Sequence, residues 1–193
     1  MSIPADRLRT SLRGAKLGVL GGVLGAVVMA MYAMVLSATV KDAGFFTPLY
    51  HIASVFLEPK TMMTSMAHGA DGDAFYLSAG PAVVGLLVHM FTGAVAGTVF
   101  GAAVTMRRLS GLTTTILGGV FGLLVLVVNS FVGLPIAAAL FGGGDVISDM
   151  PKLAGWGTFT VEHVLFGLVL GAVVATAGSR QPAELRHPAA HPA

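Results

Sequence analysis

Four apolar stretches at 17–38, 81–104, 112–140 and 154–177 set the terms for this chain, because each is long enough to cross a bilayer. At about 1.5 Å of rise per residue, a helical run of about 20 residues spans roughly 30 Å of hydrocarbon. Inside lipid such a segment has to satisfy its own backbone hydrogen bonds, which a helix does. The expected fold is therefore all-α, a four-transmembrane-helix bundle. Composition agrees: 55% of the residues are hydrophobic and 10% charged, where soluble domains carry about a quarter charged residues.

Lysine and arginine set the orientation. Arg7, Arg9, Arg13 and Lys16 precede the first span, Arg107 and Arg108 fill the connection between spans two and three, and Arg180 and Arg186 follow span four. The other two connections hold Lys41, Lys60 and Lys152 against Glu58 and several aspartates. By the positive-inside rule both termini are cytoplasmic (N-in/C-in), and the expected location is the inner (plasma) membrane, multi-pass. The first span is read as a retained helix, since its apolar run exceeds the roughly 7–15 residues of a signal peptide and Leu36-Ser37-Ala38 lacks a small-x-small cleavage pattern. The net charge of +2 is a topological signal, and no basic, aromatic-interleaved patch points to nucleic acid.

The domain plan has a basic tail at 1–16, a membrane domain at 17–178 and an alanine- and proline-rich tail at 179–193, expected to be disordered, whose His187 and His191 receive no role. Between spans one and two, FFTPLYHIASVFLEP (45–59) is aromatic but too short to cross, which suits an interfacial or re-entrant helix. The following KTMMTSMAHGADGDAFY reads as polar and turn-rich, and GGGDVISDMPK before span four as flexible. Trp156 is placed to anchor span four at the interface.

The two halves of the chain look alike. Leu20-Gly21-Gly22-Val23-Leu24-Gly25 aligns with Leu117-Gly118-Gly119-Val120-Phe121-Gly122, and the His-x-x-x-Gly-x-x-x-Gly of His89, Gly93 and Gly97 aligns with that of His163, Gly167 and Gly171. The expected architecture is a tandem two-helix repeat about an axis along the membrane normal. In that alignment Tyr32 matches Asn129, and helical rise puts Tyr32, His89, Asn129 and His163 in one polar layer of the outer half.

The segments FFTPLYHIASVF, GLLVHMFTGAVAGTVFG, LGGVFGLLVLVVNSFVGLP and EHVLFGLVLG together resemble a group of small, uncharacterised prokaryotic four-span membrane proteins. That group carries an aromatic-x-Pro-Leu segment after span one, a histidine in span two, Asn then Pro in span three and His-x-x-x-Gly in span four. The resemblance implies the four-span architecture and the four marked positions, and no activity.

Ionisable groups at membrane depth are costly, so His89 and His163 are the first candidates for a site. The small faces at Gly93, Gly97, Gly167 and Gly171 either pack helices closely or leave room for a flat cofactor. In the second case His89 and His163 would hold a haem b across the bundle diagonal, with Tyr32 or Asn129 bonding an imidazole N–H. In the first case the histidines are neutral and hydrogen-bond to each other, to Asn129 or to carbonyls, and no cofactor is bound. Glu162 either reaches the interface or joins the histidines in a proton or metal-ion pathway. Met62, Met66 and His68 form a candidate copper(I) ligand set. Zero cysteines exclude disulfides, thiolate metal sites and cysteine nucleophiles. No P-loop, H-E-x-x-H or serine triad is present. The expected role is non-enzymatic: a compact helical subunit or scaffold whose partners are lipid and other membrane proteins or a second copy of the chain. A b-type haem protein in electron transfer and a small ion pathway are the alternatives.

Overall fold

The computed structural model describes residues 5–107 and 109–176, with side chains from Leu8 onward. Arg108 and the expected tail at 179–193, with His187 and His191, lie outside the described residues. Among the described residues, four helical runs are long and apolar enough to cross a membrane. The first is α1 (Ala5–Thr39), which starts well before the expected span: in the basic stretch after Pro4 the good helix formers Arg, Leu, Ala and Lys outnumber Asp6, Thr10, Ser11 and Gly14, so the helix runs back through it. A short α2 (Thr47–Ala53) and an α3 (Lys60–Ala70) follow. The second crossing is α4 (Ala79–Val104). The third is α5 (Gly111–Val128), a π-helical turn at Asn129–Gly133, and α6 (Leu134–Phe141). Then come α7 (Gly144–Ser148), α8 (Met150–Ala154) and the last crossing, α9 (Trp156–Ala175).

The crossings pack as two antiparallel hairpins joined by one seam. α1 lies along α4, α5 lies along α9, and α1 also packs along α9, while α4 and α5 barely touch. The outer flanks are apolar and open: on α4 the row Val83, Leu87, Phe91, Val95 and Val99 is at least half exposed throughout, as a lipid-facing surface should be.

The π-helical turn has a geometric cause. Thr114, Gly118, Gly122, Leu126, Ser130, Leu134 and Ala138 are all buried at a strict four-residue spacing. Four residues of α-helix rotate about 400°, so such a stripe drifts around the helix by about 40° per step. A wider turn absorbs one extra residue and returns the stripe to the bundle. Pro135 sits just past it and has no N–H to donate, which makes an interrupted ladder cheap at this place.

Both connections at the far end of α1 are more ordered than their composition suggests. The segment read as an interfacial or re-entrant helix contains α2, which packs on α4: the Leu49 carbonyl rests against Gly85, where any Cβ would collide with it. Leu49, Tyr50, His51 and Ala53 are all buried. The segment read as turn-rich is largely the helix α3, held by a Thr47 Oγ1–Ser65 Oγ hydrogen bond of 2.9 Å and by Gly69 lying on the backbone of Gly44. The glycine-rich connection read as flexible forms α7 and α8. Ile147 there is fully buried with Val55, Leu126 and Phe159 around it, and burial of that kind repays ordering where polar loop residues cannot. Gly142, Gly144 and Gly155 take positive φ at the three bends.

Candidate functional site

The glycines position everything else. On the first hairpin Gly14, Gly18 and Gly22 meet Gly101, Gly97 and Gly93 backbone to backbone. A Cβ on Gly93 would stand 2.7 Å from the Gly22 carbonyl oxygen and 2.8 Å from the Ala26 Cβ. On the second hairpin Thr114, Gly118 and Gly122 meet Gly171, Gly167 and the backbone of His163. The seam is the same in kind: Gly21 meets Leu170 and Gly25 meets the Phe166 carbonyl.

Each histidine stands one four-residue step past the glycines of its own helix. His89 Nε2 lies 3.0 Å from the Ala26 carbonyl on α1; a carbonyl only accepts, so Nε2 carries the hydrogen and donates it, leaving Nδ1 with its lone pair. His163 is 2% exposed, and its Nδ1 donates to the Phe159 carbonyl of its own helix at 2.8 Å. Its ring also lies against that of Phe159, with centroids 4.5 Å apart. Of the hydrogen-bonding alternatives, the carbonyls are the ones used.

Tyr32 and Asn129 are half-buried, and among the described residues neither side chain hydrogen-bonds to an imidazole. The Asn129 Oδ1 stays over Gly133 of its own helix, at the start of the π-helical turn. Glu162 is 5% exposed. It falls on the stripe of α9 that continues through Phe166 and Leu170 to face α1, whereas the backbone of His163 faces α5. Its carboxyl takes part in no side-chain hydrogen bond among the described residues, and the charge that acts on it is Lys41, whose Nζ donates to the Ala154 carbonyl. Glu162 is therefore enclosed by protein on the side of α9 that faces α1.

The haem alternative needs space beside each histidine. Gly93 and Gly97 face Gly22 and Gly18, and Gly167 and Gly171 face Gly118 and Thr114, so the volume a macrocycle would need is filled by helix backbone. The residues present do not fit a haem in this packing. Of the candidate copper set, Met62 is buried beneath α3 with Met34 and Tyr50, while Met66 is 45% exposed. His68 is engaged elsewhere, with Nδ1 2.9 Å from Asp73 Oδ2 and its ring stacked on Tyr76. Among the described residues no three His, Asp or Glu side chains are grouped to hold a metal.

Four polar residues not singled out from the sequence hold the ends of the site. Tyr50 is 1% exposed; its hydroxyl donates to the Tyr76 carbonyl at 3.1 Å and accepts from the Ser78 N–H at 2.7 Å, tying α2 to the start of α4. Burial pushes its pKa up, partly offset by the Ser78 bond. His51 Nε2 donates to the Val146 carbonyl at 2.6 Å, which docks α7 on α2. Burial lowers the His51 pKa and the Val146 bond offsets part of that. Lys41 caps α8, and Ser130 Oγ is enclosed with no hydrogen-bond partner among the described residues. The aromatic-Pro-Leu-Tyr-His run was the available sequence signal for Tyr50 and His51; Ser130 gave none, because its burial depends on the π-helical turn.

Comparison with protein-family models, curated proteins and solved structures finds no match. The fold and the apolar crossings define a multi-pass helical membrane protein.

Proposed function

We propose that this is a non-enzymatic protein of the inner (plasma) membrane, with both termini cytoplasmic, acting as a compact helical subunit or scaffold. The observation that carries this reading is the backbone-on-backbone fit of the glycines along both hairpins and the seam. Packing that close favours one rigid arrangement and leaves the large side chains for the outside. The open apolar flank of α4 supports lipid as the first partner, with another membrane protein or a second copy as the next. A tandem two-helix repeat is supported by the way both hairpins set glycines in register and then a histidine. Kinship with the prokaryotic four-span group rests on the segments quoted above.

Mild extraction from native membranes tests the reading: the chain should run as part of a larger assembly and show no reduced-haem absorption band. A lone monomer with a haem spectrum would replace it by the electron-transfer alternative. Orientation has its own test on this cysteine-free background. Single cysteines at Asp71 and Asp145 should be labelled from outside and one at Arg107 should not; labelling at Arg107 would invert the topology.

A second reading, a small proton or metal-ion pathway, is favoured by the burial of Glu162 next to His163, with no side-chain hydrogen bond to its carboxyl among the described residues. Proteoliposomes with an imposed gradient decide it. Flux lost in Glu162→Gln supports the pathway, and liposomes as tight as empty ones remove it.

A further inference from the structure

At the end of the molecule that carries α2, α3, α7 and α8, a cleft of about 330 Å³ opens between residues 54–59 and the turn that follows α6. That volume lies within the range of small-ligand pockets, roughly 300–1,000 Å³. Two phenylalanines form its walls: Phe56 and Phe141 meet edge to face with centroids 4.7 Å apart, and each is just over half exposed. Glu58 is the one charged residue of the lining, and its side chain is exposed. We propose that this cleft binds an alkylammonium group.

Four features favour a positive ligand there. The helical run that starts at Gly111 ends at Phe141, where Gly142 turns into the left-handed region at φ 75°. The last carbonyls of such a run have no partners within the helix and form the negative end of its dipole. The Ser54 carbonyl faces Gly143 from the other side, 3.6 Å from where a Cβ on that glycine would stand. Glu58 adds a full negative charge, and the phenyl faces add cation–π attraction. Lys60 is the nearest cation in sequence, but it is exposed on α3 and does not line the cleft.

The same lining selects against a bare metal ion. One carboxylate supplies few of the six or more oxygens that a hard divalent cation takes. A quaternary alkylammonium is weakly hydrated and carries apolar substituents that match Val55, Leu57 and Pro59. The group could belong to a free amine or to a phospholipid headgroup, since the cleft sits beyond the apolar crossings. This site is separate from the histidine region and does not depend on the role proposed above.

The test uses the full chain in nanodiscs of phosphatidylglycerol, which carries no ammonium. Choline is titrated against 3,3-dimethylbutan-1-ol, its uncharged isostere, with the melting temperature and calorimetric affinity as readouts. Choline should raise the melting temperature and the isostere should not. Glu58→Gln should weaken choline binding about tenfold or more, and Phe141→Leu should weaken it as well. Both variants should melt like the parent in the absence of ligand, since both side chains are exposed. Short-chain phosphatidylcholine then separates the sources: binding tighter than choline assigns the site to a headgroup, and equal or weaker binding to a free amine. Equal binding of choline and its isostere, no binding of choline, or an unchanged affinity in Glu58→Gln would each overturn the proposal.

Discussion

His89 donates from Nε2 to the carbonyl of Ala26, 3.0 Å away on the facing helix, one step beyond the place where Gly93 meets Gly22. The glycines bring α1 and α4 so close that a side-chain nitrogen reaches a main-chain oxygen already bonded within its own helix. The histidine thus continues the seam that the glycines begin. His163 has the same sequence context but turns its hydrogen back to Phe159 on its own helix, so the two imidazoles have different mechanical roles.

That difference predicts how they respond to replacement. His89→Ala should destabilise the α1/α4 pairing by ~0.5–2 kcal/mol, the usual range for an inter-helix hydrogen bond in a membrane. His163→Ala removes a bond within one helix and should leave α1/α4 pairing intact. In a double-mutant cycle the two losses should add, because neither ring bonds the other. A coupling well above the usual ~0.3–0.5 kcal/mol error of additivity would mean that they share a proton or a ligand.

Glycine substitution can be graded by space. Gly118→Ala and Gly22→Ala put a Cβ into a facing carbonyl and should lower stability by ~1–3 kcal/mol through overpacking. Gly80→Ala and Gly157→Ala place it in open space and should be neutral or slightly stabilising, since alanine is the better helix former by up to ~1 kcal/mol. Thermal or denaturant unfolding in detergent reads all four. Equal effects at Gly118 and Gly157 would refute the packing.

Acid should loosen the contact between α2 and α7. Burial holds the folded-state pKa of His51 below the ordinary value of 6.5, so the undocked segment takes up a proton at higher pH than the docked one. The stabilisation is complete above about 6.5 and falls as pH drops from there toward the lowered value. Amide exchange in Gly144–Ser148, corrected for its intrinsic pH dependence, should show more opening at pH 5 than at pH 7.5. His51→Gln should flatten that response and leave whatever Asp145 and Asp149 contribute. Identical profiles in the parent and the variant would exclude His51 as the cause.

Ser130→Ala should be neutral or stabilising by up to ~1 kcal/mol, because the hydroxyl is enclosed with no partner among the described residues and a buried polar group without a bond is a cost. A loss of more than ~1 kcal/mol on unfolding would show that the hydroxyl bonds to a group held in the π-helical turn.

The crossings were legible because length and apolarity are local quantities; the start of the first at Ala5 was not, because helix formers extend that span past its apolar edge. The small-x-x-x-small pattern announced close packing, but not its register. Aligning Leu20–Gly25 with Leu117–Gly122 pairs Gly22 with Gly119, whereas the contacts make Gly22 and Gly118 equivalents: each meets the first glycine after the histidine on its partner helix. The acceptors of His89 and His163 are main-chain oxygens, which no residue name reveals. The order of the connections came from Tyr50 and Ile147, whose burial depends on helices distant in sequence.

The seam between α1 and α9 joins the first and fourth of the crossings among the described residues. The α1/α4 hairpin has all its partners once residue 104 has entered the membrane, yet Gly21 and Gly25 face an unfilled groove until the final helix arrives. Among the described helices, α9 thus closes the bundle rather than adding a flank to it. A chain halted before α9 would hold one finished hairpin with a glycine-lined side open to the bilayer, a surface by which an unfinished copy differs physically from a finished one.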